Sequence, residues 1–276
     1  MRPENITLRQ LKDADLEAVH ALSTGASWPH RLADWRLLHA LGRGVVACED
    51  DSAIVGSAIS CRWGTKVATL GMVLVAPSCQ GKGIGRWMMY TLLAKLGSRR
   101  LMLNSTDAGL PLYTALGFRT VNRIRQHQGL FTPLPWSTQA RRLQPADRAM
   151  VTALDVIAFG APRPVLLDRL LQEGVGVVIE DTDGISGFAI RRDFGRGQVI
   201  GPLVARDETD AIALVAALAE PGFLRLDIPA DATRLGAWLD ECSMPATGSA
   251  TTMIRGAWLP DSPLARRFGL VSQALG

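Results

Sequence analysis

The stretch "SCQGKGIGRWMM" (78–89) places three glycines, Gly81, Gly83 and Gly85, within five positions and then turns into an apolar run. It follows "VATLGMVLV" (67–75), whose β-rich composition predicts a strand. Apolar residues at Ile84, Trp87, Met88, Leu92, Leu93 and Leu96 predict a helix beginning at the glycines. A helix start presents unpaired N–H groups and a positive dipole end. Glycines permit positive φ and a close approach to backbone. Lys82 and Arg86 add positive charge, so the turn is a candidate anion site. It lacks the GxxxxGK[ST] of a Walker A loop. Its GxGxG spacing also differs from the GxGxxG of a Rossmann turn.

Elements on either side extend the pattern. "NITLRQL" reads as a strand, Asp13 as the cap of a helix reaching about Leu22, and 32–41 as a second helix. Strands are expected around 43–49, 53–62 and 67–75, and again at "RLMLN" (100–104). "AGLPLYTAL" (108–116) predicts a short helix stopped by Gly117. The result is an α/β chain of the α+β type with a mixed sheet.

The order then repeats at an offset near 132. "LKDAD" (11–15) falls on "LQPAD" (143–147), and "GRGVVACEDDSAIVGSAI" (42–59) on "GVGVVIEDTDGISGFAI" (174–190) with one deletion. Two domains of one fold are therefore expected, 1–132 and 138–276, joined near the proline-rich "FTPLPWS" (131–137).

Q-x-x-G-x-G after a strand ending "VLVAP", followed by "LNSTDAGLPLYTALGF" (103–118), resembles the acyl-CoA loop, tyrosine and "LYxxLGF" ending of the GNAT superfamily of N-acetyltransferases. The resemblance covers the first half in full. It implies two tandem GNAT-like domains and acetyl-CoA as cosubstrate. Main-chain groups of Val73, Leu74 and Val75 would bond the pantetheine arm, and Gln80, Gly81, Lys82, Gly83, Ile84, Gly85 and Arg86 would hold the diphosphate. Tyr113 is the candidate acid for the departing thiolate, its alternative being a core aromatic. Asn104 is a candidate partner of the cofactor arm or of Tyr113, its alternative being to cap the next turn. The second half has "RDETDAIALVAAL" where the glycine loop would fall, and "LGAWLDECSM" (235–244), without tyrosine, in place of "LYTALGF". It reads as a degenerate copy that walls the acceptor pocket.

Many relatives carry a glutamate on the strand before the loop, but "ATLGMVLV" has no carboxylate. The general base therefore stays open among His30, Asp34, His127, Asp107 and a chain of waters. "ASWPHRLADW" (26–35) lies where the family commonly lines its acceptor site, so Trp28, His30, Asp34 and Trp35, together with His127, are candidate substrate contacts. Cys79 abuts the loop and reads as a small filler, direct attack by an amine needing no cysteine.

With 47% hydrophobic and 20% charged residues the chain can build full cores. A net charge of +4, carried by scattered arginines and only four lysines, includes no basic block and argues against a nucleic-acid surface. Four cysteines without CxxC pairs read as reduced thiols, and no metal site is expected. No apolar stretch reaches the roughly 18 residues of a membrane span, and the N-terminus carries no signal segment. The expectation is a cytoplasmic bacterial enzyme, monomer or homodimer, moving an acetyl group to a small-molecule or amino-acid-like amine. Its alternatives are a CoA-responsive binding or regulatory protein without turnover, and an acetyltransferase of protein lysines or N-termini.

Overall fold

A computed structural model describes residues 5–50, 52–137, 139–257 and 262–276. The expected start of the second domain, residue 138, lies outside the described residues. The first half runs β1 (Ile6–Gln10), α1 (Leu16–Gly25), α2 (Leu32–Leu41), β2 (Gly42–Glu49), β3 (Ala53–Trp63), β4 (Val67–Val75), α3 (Ile84–Leu93), β5 (Arg100–Ser105), α4 (Leu110–Ala115) and β6 (Arg119–Phe131). The second half runs β7 (Arg141–Arg142), α5 (Arg148–Phe159), α6 (Pro164–Glu173), β8 (Gly174–Asp181), β9 (Gly184–Phe194), β10 (Gly197–Ala205), α7 (Glu208–Leu218), β11 (Gly222–Pro229), α8 (Thr233–Glu241) and β12 (Ala246–Arg255). A further strand, β13 (Arg266–Gly269), follows.

The repeat extends to single hydrogen bonds. In the first half Asp15 accepts from the Lys12 amide at 2.8 Å while Arg9 grips the same carboxylate at 2.6 and 2.8 Å. In the second, Asp147 accepts from the Gln144 amide at 2.7 Å and Arg141 grips it at 2.7 and 2.9 Å. Each helix start is thus fixed by the third residue of the turn reaching back. Asp15, rather than the expected Asp13, does the capping; Asp13 points to solvent and meets His39 at 3.2 Å.

The thirteen strands of the described residues join one sheet in the order β1-β2-β3-β4-β5-β12-β6-β11-β10-β9-β8-β7, with β13 against β10. The middle of this order is an exchange. β12, the last long strand of the second half, pairs antiparallel with β5, Thr251 opposite Ser105 through Arg255 opposite Leu101. β6, the last of the first half, pairs with β11 from Gly222 opposite Phe131 to Pro229 opposite Ile124. β6 and β12 then pair with each other. Each half supplies the strand that covers the other's edge, so the two domains form one continuous sheet.

Alternation along the strands loads both faces. Helices α1, α2, α5 and α6 share one apolar cluster that includes Val19, Trp35, Leu154, Leu166 and Phe188. On the other face, α3 and α4 bury Ile84, Met88, Leu92 and Tyr113 in one cluster, and α7 and α8 bury Ile212, Leu214, Leu235 and Leu239 in another. The α1–α2 and α5–α6 connections cross the midline symmetrically. A Cβ on Gly195 would lie 3.1 Å from the Pro29 carbonyl oxygen, and one on Gly64 3.2 Å from the Pro162 ring.

Candidate active site

The site begins where β4 and β5 part. They are parallel from Val67 opposite Arg100 to Leu70 opposite Leu103, and there the pairing ends. β4 continues against β3, with Leu74 opposite Ser57 and Val75 opposite Gly56, after a bulge between Ser57 and Ile59. At the bulge Met72 has φ +54°, a left-handed conformation rare for a side chain of that size, and its carbonyl accepts from the Ser57 hydroxyl at 2.9 Å. Bulges increase local twist. This one falls where β4 leaves β5, so the main chain of Val73 to Val75 has no partner strand on the β5 side.

The gap runs into the glycine turn. Gly81 and Gly83 have φ of +77° and +81°, and a Cβ on either would meet no atom within 4 Å. Gly83 is the N-cap of α3, and no side chain caps that helix. Its first amides are therefore left for a ligand. The Gln80 side-chain amide donates to the Val75 carbonyl at 3.0 Å, tying the turn to the strand end. Lys82 and Arg86 are exposed and form no ion pair among the described residues. Cys79 is buried beneath the turn. The whole makes a cleft of about 1160 Å³, lined by Val73 to Val75, the turn, and residues from Thr106 to Tyr113 that include Gly109 and Leu112. An anion-binding helix start at the end of an unpaired strand edge fits a long ligand with amides along its body and phosphates at one end.

Tyr113 lines this cleft and is otherwise buried. Its ring packs edge-on against Phe118, with centroids 6.1 Å apart. Burial pushes its phenol up to about 12. No protein group accepts its hydroxyl hydrogen among the described residues. Gly109 makes room for the ring, since a Cβ there would lie 2.9 Å from it.

Several expected residues sit elsewhere. Asn104 does not reach Tyr113 or the gap: its NH2 donates to the Gln273 carbonyl at 2.9 Å, and its oxygen accepts from the Thr252 hydroxyl at 2.7 Å. Trp35 is fully buried, its indole N–H donating to the Ser23 hydroxyl at 3.0 Å. Asp34 is 4% exposed and is used by Arg31, by the Gly195 amide at 3.3 Å and by Arg192 at 3.6 Å. His127 is fully buried in β6 between β11 and β12, with Nδ1 2.8 Å from the Met244 carbonyl. His30 packs against Trp28 and Phe194 at 5.8 and 5.4 Å. Burial, reinforced by Arg225 and Arg192, lowers its pKa to about 4 against the pull of Asp34, so it is neutral near pH 7. Asp107 is exposed, 3.9 Å from Arg123. Of the acceptor candidates only Trp28 lines the cleft. No Asp, Glu or His is among the cleft's described lining residues.

Two aromatic residues of the cleft were missed by the sequence reading. Trp87 and Tyr90 line it one and two helical turns beyond Gly83. Their spacing, i+4 and i+7 from the N-cap, was the available signal; Tyr90 is 56% exposed, as a cleft residue would be.

The corresponding place in the second half is closed twice over. β10 pairs with β11 only at Gln198 and Val199 and parts from it just before a bulge between Ile200 and Leu203. There β13 enters, with Leu203 opposite Gly269 and Ala205 opposite Arg266. A backbone strand thus fills the opening that stays free beside β4. At the helix start Asp207 caps α7, accepting from the Thr209 and Asp210 amides at 2.8 and 3.0 Å. Glu208 accepts from the Leu235 amide at 2.7 Å. Among the described residues no group of three or more His, Cys, Asp or Glu is placed to hold a metal.

Comparisons with known proteins agree with this architecture. Two family models, both described as acetyltransferase (GNAT) domain, match residues 11–135 and 151–268. The chain is 26% identical over 278 residues to the uncharacterized N-acetyltransferase YitH of Bacillus subtilis (strain 168), covering 98% of each chain. A candidate acetyltransferase from Pyrococcus horikoshii has the same fold, with a TM-score of 0.82 at 18% identity over 100% of this chain and 98% of that one. A tandem GNAT protein from the clavulanic acid biosynthesis pathway gives a TM-score of 0.61 at 14% identity, over 93% and 100%. With one match in each half and the repeat visible down to single hydrogen bonds, the chain consists of two GNAT-like domains and belongs to the GNAT superfamily of acetyltransferases.

Proposed function

We propose that the protein transfers an acetyl group from acetyl-CoA to the primary amine of a small, amino-acid-like molecule, with its first half as the CoA-binding half. The observation that carries this reading is the opening of β4 from β5 directly onto an uncapped, glycine-bordered helix start. The bare φ-positive glycines fit a diphosphate, and the unpaired edge of Val73 to Val75 fits the amides of a pantetheine arm. Bound there, acetyl-CoA supplies the thioester acetyl group. The amides of the α3 start and the charges of Lys82 and Arg86 hold the diphosphate. Main-chain groups along β4 orient the arm, so the amine meets a fixed carbonyl.

Tyr113 donates a hydrogen bond to the sulfur as it leaves. Complete proton transfer from a phenol at about 12 to a thiolate of pKa near 8.5 would be uphill by about 5 kcal/mol. Stabilising the charge as it develops is the role its pKa favours. With no acid or histidine lining the cleft, the ammonium proton leaves through water, and the rate follows the fraction of acceptor present as free amine.

The second half closes the acceptor side. Ala274 lies against Gly71, where a Cβ would come within 2.5 Å of its own, and Gln273 is held by Asn104. This cover next to the end of the β4–β5 pairing favours a small acceptor over a protein lysine or N-terminus. The absence of a carboxylate on β4 is the one feature favouring a CoA-responsive protein without turnover. Thiol release from acetyl-CoA across an amine library, alongside a CoA titration, tests both. The expected result is saturation at one CoA per chain and release with small amines. One-site CoA binding with no release across the library would support the non-catalytic reading, and a second CoA site of similar affinity would overturn the assignment of the halves.

A further inference from the structure

The strand exchange creates a second cavity, separate from the CoA cleft. Its floor consists of the exchanged strands and the end of β11: Met102 from β5, Thr252 and Ile254 from β12, Ile124 from β6, and Pro229. Phe159 at the end of α5 and Leu270 after β13 cover it. Its cavity volume is about 80 Å³ and it opens to solvent, which is room for several waters or for a compact ligand that displaces them.

Its polar groups are of one kind. Arg100, Arg266, Arg267, Asn122 and Thr252 line it, and none of its described lining residues is Asp or Glu. Arg266 is paired with Asp231 outside the lining, and Arg267 stacks over Phe159 at 5.5 Å. Arg100 donates through Nη2 to the Gly160 carbonyl at 3.2 Å, its one side-chain partner among the described residues. The Asn122 oxygen accepts from the Arg123 amide at 2.7 Å, which leaves its NH2 as the donor end. The remaining lining is mostly aliphatic and aromatic. Cations and amide donors around an apolar body select an anion with an apolar body and reject an amine at the same place.

We propose that this cavity binds a small organic carboxylate with an apolar body, its acid end toward Arg100. Its position sets the ligand close to the proposed acetyl-transfer site. Thr252 lines the cavity and donates to Asn104, Asn104 donates to the Gln273 carbonyl, and Ala274 lies on Gly71 at the end of the β4–β5 pairing. An occupant is therefore separated from that point by one layer of chain. The acid is either the carboxylate end of the acceptor itself or an independent effector; the site chemistry is the same for both.

Direct binding tests the proposal without requiring turnover. Hexanoate and 3-phenylpropanoate, with hexanamide and 3-phenylpropanamide as uncharged controls, are titrated into the full chain by calorimetry, with CoA titrated separately. The acids should saturate one site per chain and bind at least about tenfold tighter than the amides. Arg100→Gln should lower acid affinity by about tenfold or more and leave CoA affinity unchanged. Ile157→Trp, at the exposed rim, should block the acids by filling the mouth. No saturable acid binding, equal binding of acids and amides, or acid binding unchanged in both variants would overturn it. Loss of CoA binding with retained acid binding would instead count against the CoA-cleft reading alone. In the acetyl-transfer assay, competition between acid and acceptor amine identifies the acceptor's own acid end, and a change in kcat at constant acceptor KM identifies an effector.

Discussion

Gly83 is the position where the CoA reading can be tested most sharply. It is the N-cap of α3 with φ +81°, and a Cβ there would meet nothing within 4 Å. A substitution is therefore not opposed by sterics in the folded chain; its cost is conformational. Holding an L-residue left-handed costs about 1–2 kcal/mol, and somewhat more for a β-branched side chain. A Gly83→Val chain relieves that strain by turning the residue to negative φ, which swings the 81–84 amides out of their shared direction. CoA binding must pull them back. At about 1.4 kcal/mol per decade, Gly83→Val should weaken CoA by roughly 5- to 100-fold, and Gly83→Ala by roughly 5- to 30-fold. Gly85 separates strain from access: it lacks a positive φ, and a Cβ there would make ordinary contacts with Leu112 at 3.6 Å and Val75 at 3.8 Å. Gly85→Ala should leave the melting temperature unchanged and weaken CoA only through crowding in the cleft. Calorimetric titration of the three variants, each checked by circular dichroism, is the assay. Wild-type CoA affinity in a folded Gly83→Val protein would refute the assignment of the 80–86 turn to the diphosphate.

Two further outcomes follow from single groups. Tyr113→Phe keeps the ring packed on Phe118 and removes the hydroxyl, so kcat should fall about 10- to 1000-fold while CoA affinity holds; unchanged turnover would make Tyr113 a packing residue only. His30 has its pKa lowered by burial to about 4 from an ordinary 6.5, so the unfolded chain binds the proton first as pH falls. Its contribution is therefore complete above pH 6.5 and is lost between 6.5 and 4, to about 3 kcal/mol. Urea unfolding at pH 7 and 4.5 should show the wild type losing about 2–3 kcal/mol more than His30→Gln, and equal losses would refute the buried-neutral assignment.

The elements were legible in the sequence because they are set locally. The helix at 32–41 and the strand at 67–75 fall where periodicity and composition place them, and the repeat at offset 132 reappears as matched Asp15 and Asp147 caps. The glycine turn was legible because positive φ at two positions leaves little choice of residue. What escaped was non-local. Nothing within "LNSTD" signals that Asn104 is held by Thr252 and Gln273, 148 and 169 residues downstream, because those contacts exist only once the end of the chain has folded back onto β5. Trp35 and His127 have the chemistry of site residues, but burial and partners elsewhere, the Ser23 hydroxyl and the Met244 carbonyl, engage them. The Met72 bulge gave no sign, since a methionine at φ +54° contradicts its own propensity and is held by its surroundings.

The exchange also explains how the half whose opening is filled by β13 bears on the half whose opening beside β4 is free. Without β12, the backbone of β5 from Leu101 to Ser105 would present an open edge, and the Asn104 oxygen would lose its donor Thr252. β5 is one wall of the gap beside Val73 to Val75, so any loosening of β12 widens the place where the arm must be held. The same chain then returns: Arg192 donates to the Val271 carbonyl at 3.1 Å, and fully buried Arg163, bound to Asp155 at 2.7 Å, donates to the Leu275 carbonyl at 3.0 Å. These arginines anchor the segment that carries Ala274 onto Gly71. The strand that fills the second half's opening and the segment that covers the first half's site are thus one stretch, 266–275. Filling one opening and covering the other thus fall to successive residues of one stretch: β13 lies in the second slot, and Arg163 and Arg192 hold the residues after it over the first.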